Sequence, residues 1–169
     1  PDAPLGDAPL MSADERDQVL VEWNDTARPP LAEDTLVSIL QAHAALAPDA
    51  PALEAPDLQL SYGELNKRAN RLAHRLRALG VGLDATVGVC MPRSGEAIVA
   101  LLAILKAGAA YMPLDPAFPE SRLGFMCEDA EPRVVLTISR LRDVLPPLDI
   151  PVLCLDDADA FDGIEDGDL

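Results

Sequence analysis

The sequence predicts an α/β fold in which βαβ units build a mostly parallel sheet with flanking helices. Short apolar segments typical of strands alternate with helical patterns in the second half of the chain. The predicted strands cover residues 86–91, 110–114, 133–137 and 152–155. Helical patterns cover residues 95–107, a segment after Pro119 and residues 141–145.

Composition sets the class of protein and the partners to expect. The chain has 169 residues, of which 49% are hydrophobic and 25% charged, so it can bury the core of one domain or of a large part of one. Its net charge of −16 disfavours nucleic acid and anionic membranes as main partners. The longest apolar run, residues 97–105, is too short to span a bilayer. No secretory signal is visible, so we expect a cytoplasmic protein.

The three cysteines predict neither a disulfide framework nor a zinc site. Cys90, Cys127 and Cys154 are widely spaced among apolar neighbours, and we expect buried thiols. Because residue 1 is Pro, we also expect the chain to be part of a longer polypeptide.

The first part of the chain has the features of a linker. Residues 1–10 are rich in proline, and Pro29 and Pro30 predict a stiff spacer. Between them, Ser12 predicts the N-cap of a short helix that ends near Trp23, with Val19, Leu20 and Trp23 on one face. A second predicted helix covers residues 35–47 and opens the main domain.

The segment Leu60–Leu65 predicts a helix start of high quality. Residues 52–54 and 58–60 predict a small hairpin before it. Ser61 and Glu64 have the spacing of a capping box, with Tyr62 between them. Leu65 begins an apolar stripe that runs to residue 79, after which Gly80 is expected to end the helix in a left-handed conformation.

The segment 105–115 predicts a buried helix that passes directly into a strand. Lys106 lies in the last turn of that helix, and Gly108 ends it. The small residues Ala109 and Ala110 permit tight packing, and Pro113 indicates an edge strand or a strand end. Tyr111 and Asp115 complete the pattern.

No catalytic, cofactor-binding or metal-binding residue is predicted. The sequence contains no phosphate-binding G-x-x-x-x-G-K-[ST] loop, no dinucleotide fingerprint between a strand and a helix, and no G-x-S-x-G elbow. His43 and His74 are expected at the surface. We also expect the acidic residues 156–168 and the basic stripe on the capped helix to be solvated; this stripe comprises Lys67, Arg68, Arg71 and Arg75.

The segments L-S-Y-G-E-L at 60–65 and L-K-A-G-A-A-Y-M-P-L-D at 105–115 carry a family resemblance. They resemble the first two core motifs of the adenylation domains of nonribosomal peptide synthetases, within the adenylate-forming superfamily. The first motif matches at each fixed position, and the second departs only at Met112, a mild apolar exchange. Residues 21–26 resemble the stretch that links a condensation domain to an adenylation domain.

The resemblance implies a linker at 1–34 and an incomplete N-terminal part of the large adenylation subdomain at 35–169. It implies a parent enzyme that uses ATP and Mg²⁺ to form an aminoacyl adenylate and loads it on a phosphopantetheine carrier. The family's phosphate loop, amino-acid pocket, ribose-binding acid and mobile lysine have no counterpart in this sequence. We therefore transfer only structural roles, and we expect the segment alone to be inactive.

Two alternatives remain open at this stage. The segment could be a docking module, either for a condensation domain through residues 1–35 or for an MbtH-like activator through Ala109, Ala110 and Pro113. It could also belong to another adenylate-forming ligase, such as one acting on fatty acids. The stretch around Trp23 and the match at 105–115 favour the peptide synthetase.

Overall fold

A computed structural model of the chain describes residues 10–27, 35–157 and 163–169. The chain divides into two compact units, Pro1–Glu33 and Asp34–Leu169. The predicted linker at 1–9, the Pro29–Pro30 spacer and the part of the acidic segment at 158–162 lie outside the described residues.

The N-terminal unit contains helix α1 (Ala13–Leu20), followed by a 3₁₀ turn at Glu22–Asn24. Ser12 caps α1 as predicted, and Glu15 completes a capping box by accepting a hydrogen bond from the Ser12 amide at 2.8 Å. The predicted apolar face is not buried within the described part of this unit, because Trp23 is 67% exposed and Leu20 is exposed as well.

The C-terminal unit has the predicted order of elements. Its helices are α2 (Leu36–Leu46), α3 (Tyr62–Ala78), α4 (Gly95–Ala107) and α5 (Glu120–Ala130). Its strands are β1 (Pro51–Glu54), β2 (Gln59–Ser61), β3 (Thr86–Val89), β4 (Ala110–Pro113), β5 (Val134–Thr137) and β6 (Val152–Cys154). Two details differ from the prediction. Pro119 precedes α5 instead of lying in its first turn, and the helix expected at 141–145 is a 3₁₀ helix at Ser139–Val144.

The four-stranded sheet is parallel throughout, with strand order β4-β3-β5-β6. Strand β4 is therefore an edge, which explains why Pro113 is tolerated there. The hairpin β1–β2 forms a separate antiparallel pair, as the sequence predicts.

Helices cover both faces of the sheet because side chains alternate along each strand. On one face, Val134 and Leu136 of β5 pack with buried residues of α3 and α4. On the other face, Val135 packs with Leu123 and Cys127 of α5. A third cluster joins α2, the hairpin, α3 and α4 through Leu40, Leu60, Leu65 and Val99. None of the helices in the described ranges combines the length and apolarity needed to span a bilayer.

Helix α4 contributes to two of these clusters, and a glycine lies at or next to each of its ends. A Cβ atom at Gly95 would lie 2.6 Å from the Cβ atom of Leu58, so only glycine allows the hairpin to pack this closely. Gly108 ends the helix with φ of 85°, the left-handed conformation that glycine adopts without strain. Gly80 follows α3 in the same way, with φ of 80°.

Candidate functional site

The first motif forms a helix start and contributes to the core. The Ser61 amide donates to Glu64 Oε2 at 2.9 Å, and the Glu64 amide donates to Ser61 Oγ at 3.3 Å. These two bonds satisfy donors that a helix end leaves free. The Tyr62 ring stacks on His43 with centroids 5.5 Å apart, and Leu65 is buried. Each motif residue thus contacts its own fold, and His43 serves as a packing partner.

The second motif begins at the end of α4 that is remote from the hairpin, and the two motifs do not share a hydrophobic cluster. Ala109 is only 7% exposed and belongs to the main core, which corrects its assignment to an accessible docking surface. Ala110 and Pro113 are exposed on β4, and Tyr111 is 47% exposed between them. The motif therefore presents Ala110, Tyr111 and Pro113 on an open sheet edge, which we call the β4 edge surface.

The carboxyl ends of the parallel strands are the usual ligand-binding edge of an open α/β sheet. Here the polar groups at that edge bind one another. Asp115 Oδ1 accepts from the Ala117 amide at 2.9 Å, and Asp156 Oδ1 accepts from the amide and hydroxyl of Ser139 at 2.8 and 2.9 Å. The hydrogen bond from the Ser139 amide lowers the pKa of Asp156. Asp115 and Asp156 thus stabilise turns at this edge.

The prediction of a solvated acidic segment is wrong for the residues that the structure describes at its end. Asp168 Oδ1 accepts from Nδ2 of Asn66 at 2.9 Å and of Asn70 at 3.0 Å, and it lies 3.4 Å from Lys106 Nζ. Asp166 pairs with Arg71 at 3.2 Å. These partners lie far apart in the sequence, so no local pattern in the acidic segment announces them.

The prediction of a solvated basic stripe on α3 is partly wrong for the same reason. Arg71 binds Asp166, and Arg68 Nη1 pairs with Glu96 Oε1 at 3.0 Å, whereas Lys67 and Arg75 are exposed. Burial raises the pKa of Glu96, although the nearby Arg68 opposes this effect. Two of the four cations therefore bind this chain's own carboxylates.

Lys106 is a further residue whose environment the sequence does not reveal. Its side chain is 1% exposed, although it lies in the last turn of an otherwise apolar helix. Burial lowers the pKa of Lys106, and the charge of Asp168 opposes this effect. Lys106 is thus bound by Asp168 and shielded from solvent.

The thiols have no nucleophilic character. Cys90 and Cys127 are buried, and Cys154 is half-buried. Burial, with smaller contributions from Cys127 and Asp115, raises the pKa of Cys90 to about 11, so this thiol stays protonated at neutral pH. The prediction of buried thiols is confirmed for Cys90 and Cys127.

One cavity of about 200 Å³ lies between α3, α4 and the end of β6, and it is lined by Arg68, Arg71, Leu72, Glu96, Val99 and Leu155. Both of its arginines already bind carboxylates, so it offers no unpaired cation for a phosphate group. Within residues 10–27, 35–157 and 163–169, no cluster of His, Cys, Asp and Glu side chains has the arrangement of a metal site.

Comparison with known proteins assigns this architecture. Residues 40–166, which include both motifs, match the model of the family described as AMP-binding enzyme. The chain belongs to the AMP-binding enzyme family. The predicted resemblance to peptide synthetases is confirmed by its relatives within that family. A linear gramicidin synthase protein of Brevibacillus parabrevis is 47% identical over 156 residues, and tyrocidine synthase 2 of the same organism is 40% identical over 157 residues.

Solved structures confirm the predicted fold of this AMP-binding family chain. The nonribosomal peptide synthetase FmoA3, in its alpha-methyl-L-serine-AMP bound form, matches 96% of the chain with a TM-score of 0.79 and 39% identity. The N-terminal domain of FACL13 from Mycobacterium tuberculosis matches 80% of the chain with a TM-score of 0.72. At 23% identity, the match to FACL13 supports the fold alone.

The chain spans only a small part of these proteins. The match to the gramicidin synthase includes 92% of the chain but 2% of that synthase, and the match to the tyrocidine synthase includes 93% of the chain but 4% of that synthase. The chain covers 18% of the matched FmoA3 chain. The similarity therefore concerns one segment of much longer proteins.

Proposed function

We propose that this chain is the N-terminal part of an amino-acid-adenylating domain in a nonribosomal peptide synthetase. The parent activates an amino acid with ATP and Mg²⁺ and passes the aminoacyl group to a phosphopantetheine carrier. The partners within the synthetase are the rest of the adenylation domain and an upstream condensation domain. A cytoplasmic location belongs to the same proposal.

The observation that carries this proposal is the family match over residues 40–166 with both motifs in place. The relatives that match nearly the whole chain at 39–47% identity are peptide synthases, whereas FACL13 matches at 23%. This difference favours the peptide synthetase over a fatty-acid ligase. The FmoA3 complex carries an aminoacyl-AMP, which is the intermediate we propose for the parent.

Within the parent, we propose that this segment supplies structure and that other segments bind the nucleotide. The donors that could attract phosphate are already in use in the described residues. Arg68, Arg71 and Lys106 bind carboxylates, and the first amide of α4, at Gly95, donates to Asp57 at 3.1 Å. A triphosphate and its Mg²⁺ do not fit such a surface, so we derive no catalytic step through these residues.

Amino-acid-dependent exchange of pyrophosphate into ATP tests the proposal directly. We expect the parent polypeptide to catalyse exchange with one or a few amino acids and to show no activity with fatty acids. The purified 169-residue chain, shown to be folded by circular dichroism, should show no exchange. Absence of exchange in the parent across all amino acids, or activation of a fatty acid, would contradict the assignment.

The division into a linker at 1–34 and an adenylation segment at 35–169 remains part of this proposal. In its support, the two compact units of the chain meet within one residue of that boundary. The motif residues then have structural roles. Ser61 and Glu64 cap α3, Tyr62 and Leu65 pack, and the stretch from Lys106 to Asp115 carries the chain from α4 through β4.

A second proposed role is docking of an MbtH-like activator on the β4 edge surface. The observation in its favour is that Ala110 and Pro113 are exposed beside Tyr111, so the edge combines small residues with one aromatic ring. Such a surface can accept an apolar anchor from a partner. The net charge of −16 favours basic partner residues, and residues 1–35 remain a candidate contact with a condensation domain.

Replacing Ala110 by Trp in the complete adenylation domain tests this docking role. We expect binding of an MbtH-like protein to weaken by about tenfold or more, because a central contact is blocked. Thermal stability without the activator should remain near that of the wild type, since Ala110 is exposed. Ala109→Trp is the matched core control and should lower stability. Equal loss of stability in both variants would contradict docking at Ala110.

A further inference from the structure

Residues 166–168, which we call the strap, lie along α3 and are held by side chains and backbone together. The Asn70 amide group donates to the Asp166 carbonyl oxygen at 2.8 Å, and His74 Nε2 donates to the Gly167 carbonyl oxygen at 3.0 Å. Arg71 binds the Asp166 carboxylate. The strap thus has a specific contact at each of its residues, since Asp168 is bound as well.

The α3 side of this contact is a polar stripe. Asn66, Asn70 and His74 are spaced four residues apart, so they lie in line on one helix face. Asn70 is buried, and the other buried residues of α3 are apolar. This polar stripe is separate from the basic stripe and from the apolar face of α3, and it is the surface on which the strap lies.

Asp168 is the point where three helices meet. Its carboxylate accepts hydrogen bonds from Gln41 of α2 and from Asn66 and Asn70 of α3, and it pairs with Lys106 of α4. Although burial acts to raise it, the hydrogen bonds from the three amides and the charge of Lys106 hold the pKa of Asp168 at about 2. The carboxylate therefore stays ionised and can receive all of these donors.

The cluster is built for an anion. Donors from three helices converge on Asp168, whereas Asn66 Oδ1 and Asn70 Oδ1 are buried and have no hydrogen-bond partner among the described residues. Turning either amide to satisfy its oxygen would point that oxygen at the carboxylate. A buried acceptor without a partner costs free energy, so this orientation is maintained by the charge it binds.

We propose that Lys106 of the second motif is a positioning residue that acts through Asp168, fastening the strap to the α2–α3–α4 layer. The strap then fixes the path by which the chain leaves the sheet after β6. Its consequence for adenylation rests on the proposed function, because the strap would set the placement of this layer within the parent. Its existence as a fastened segment does not depend on that function.

Hydrogen exchange of residues 163–169, measured by mass spectrometry in the parent polypeptide, tests the strap. Asp168→Ala removes the acceptor shared by the four donors, and we expect the strap amides to exchange about tenfold faster or more. Lys106→Met keeps the apolar stem and removes the charge, so we expect a severalfold increase without loss of thermal stability. Lys106→Arg should restore much of the protection.

Matched controls separate the specific contact from a general effect of charge. Glu165→Gln changes the same charge in the same segment at an exposed position and should leave exchange unchanged. Lys67→Met is the exposed counterpart on α3. Unchanged exchange in Asp168→Ala, or an equal increase in Glu165→Gln, overturns the strap. Exchange that rises across the whole domain in Lys106→Met shows instead that Lys106 stabilises the core alone.

Pyrophosphate exchange on the same variants tests the positioning role separately. We expect its rate to fall in the order of strap release, from wild type through Lys106→Arg and Lys106→Met to Asp168→Ala. Full activity in a variant whose strap is released overturns the positioning role. Absence of activity in the wild-type parent overturns the proposed function and leaves the exchange result on the strap standing.

Discussion

The first and last turns of α4 both bind carboxylates from other segments, and they do so by different means. At Gly95, both oxygens of Asp57 lie 3.1 Å from a backbone amide, a donor that every helix presents at its start. At Lys106, the Asp168 carboxylate binds side-chain donors supplied by three helices. The first contact depends on close backbone approach, whereas the second depends on charge. The two ends should therefore respond to different perturbations.

The largest expected effect is at the first turn. Gly95→Ala places a Cβ atom 2.6 Å from the Leu58 Cβ atom, so the hairpin must move away from the helix. Such overpacking costs about 1 to 3 kcal/mol, and we expect the free energy of unfolding to fall by that amount. Denaturant unfolding of the parent polypeptide, or of the chain itself, measures this loss.

Gly82→Ala is the matched control for the change at Gly95. A Cβ atom at Gly82 would have no heavy atom within 4 Å, so this variant should be neutral or slightly stabilising. If Gly95→Ala were equally neutral, the close approach of the hairpin would not be required for stability.

A smaller effect is expected from acid at the other end. The pKa of Asp168 is held at about 2, below its ordinary value of 3.8, so its contribution is present above about pH 4. It is lost as the pH falls through about 2. We therefore expect wild type to protect the strap better than Asp168→Asn near neutral pH. The two should converge as the pH approaches 2, in hydrogen exchange corrected for the intrinsic rate.

Glu165→Gln again provides the comparison for this titration. It should follow the wild type at every pH, because Glu165 is exposed. A constant difference between wild type and Asp168→Asn over the whole range would mean that the shape of residue 168, and not its charge, fastens the strap.

The sequence predicts those parts of the fold that depend on neighbouring residues. The capping box of Ser61 and Glu64, the glycine after α4 and the edge position of Pro113 follow from local spacing, and all are confirmed. The parallel sheet follows from the alternation of strands and helices. In each case the physical cause acts within a few residues, where a sequence pattern can record it.

The strap shows why the rest could not be predicted. Asn66 and Asp168 are 102 positions apart, and neither has a neighbour that marks it as half of a pair. An acidic segment in a chain of net charge −16 is expected to be solvated, and this expectation conceals the carboxylates that are bound. The spacing of Asn66, Asn70 and His74 is a signal that could have indicated a second, polar face of α3.

Pro113 has a consequence for how the molecule avoids unwanted association. The amides of Ala110 and Leu114 bond to β3 and the residue before it, so alternation along the strand turns the backbone nitrogens of Tyr111 and Pro113 outward. Because proline has no amide hydrogen, the outer side of β4 offers Tyr111 as its single backbone donor. A foreign strand cannot continue the sheet by a regular ladder there. The edge is thus protected against β-aggregation while its side chains remain accessible.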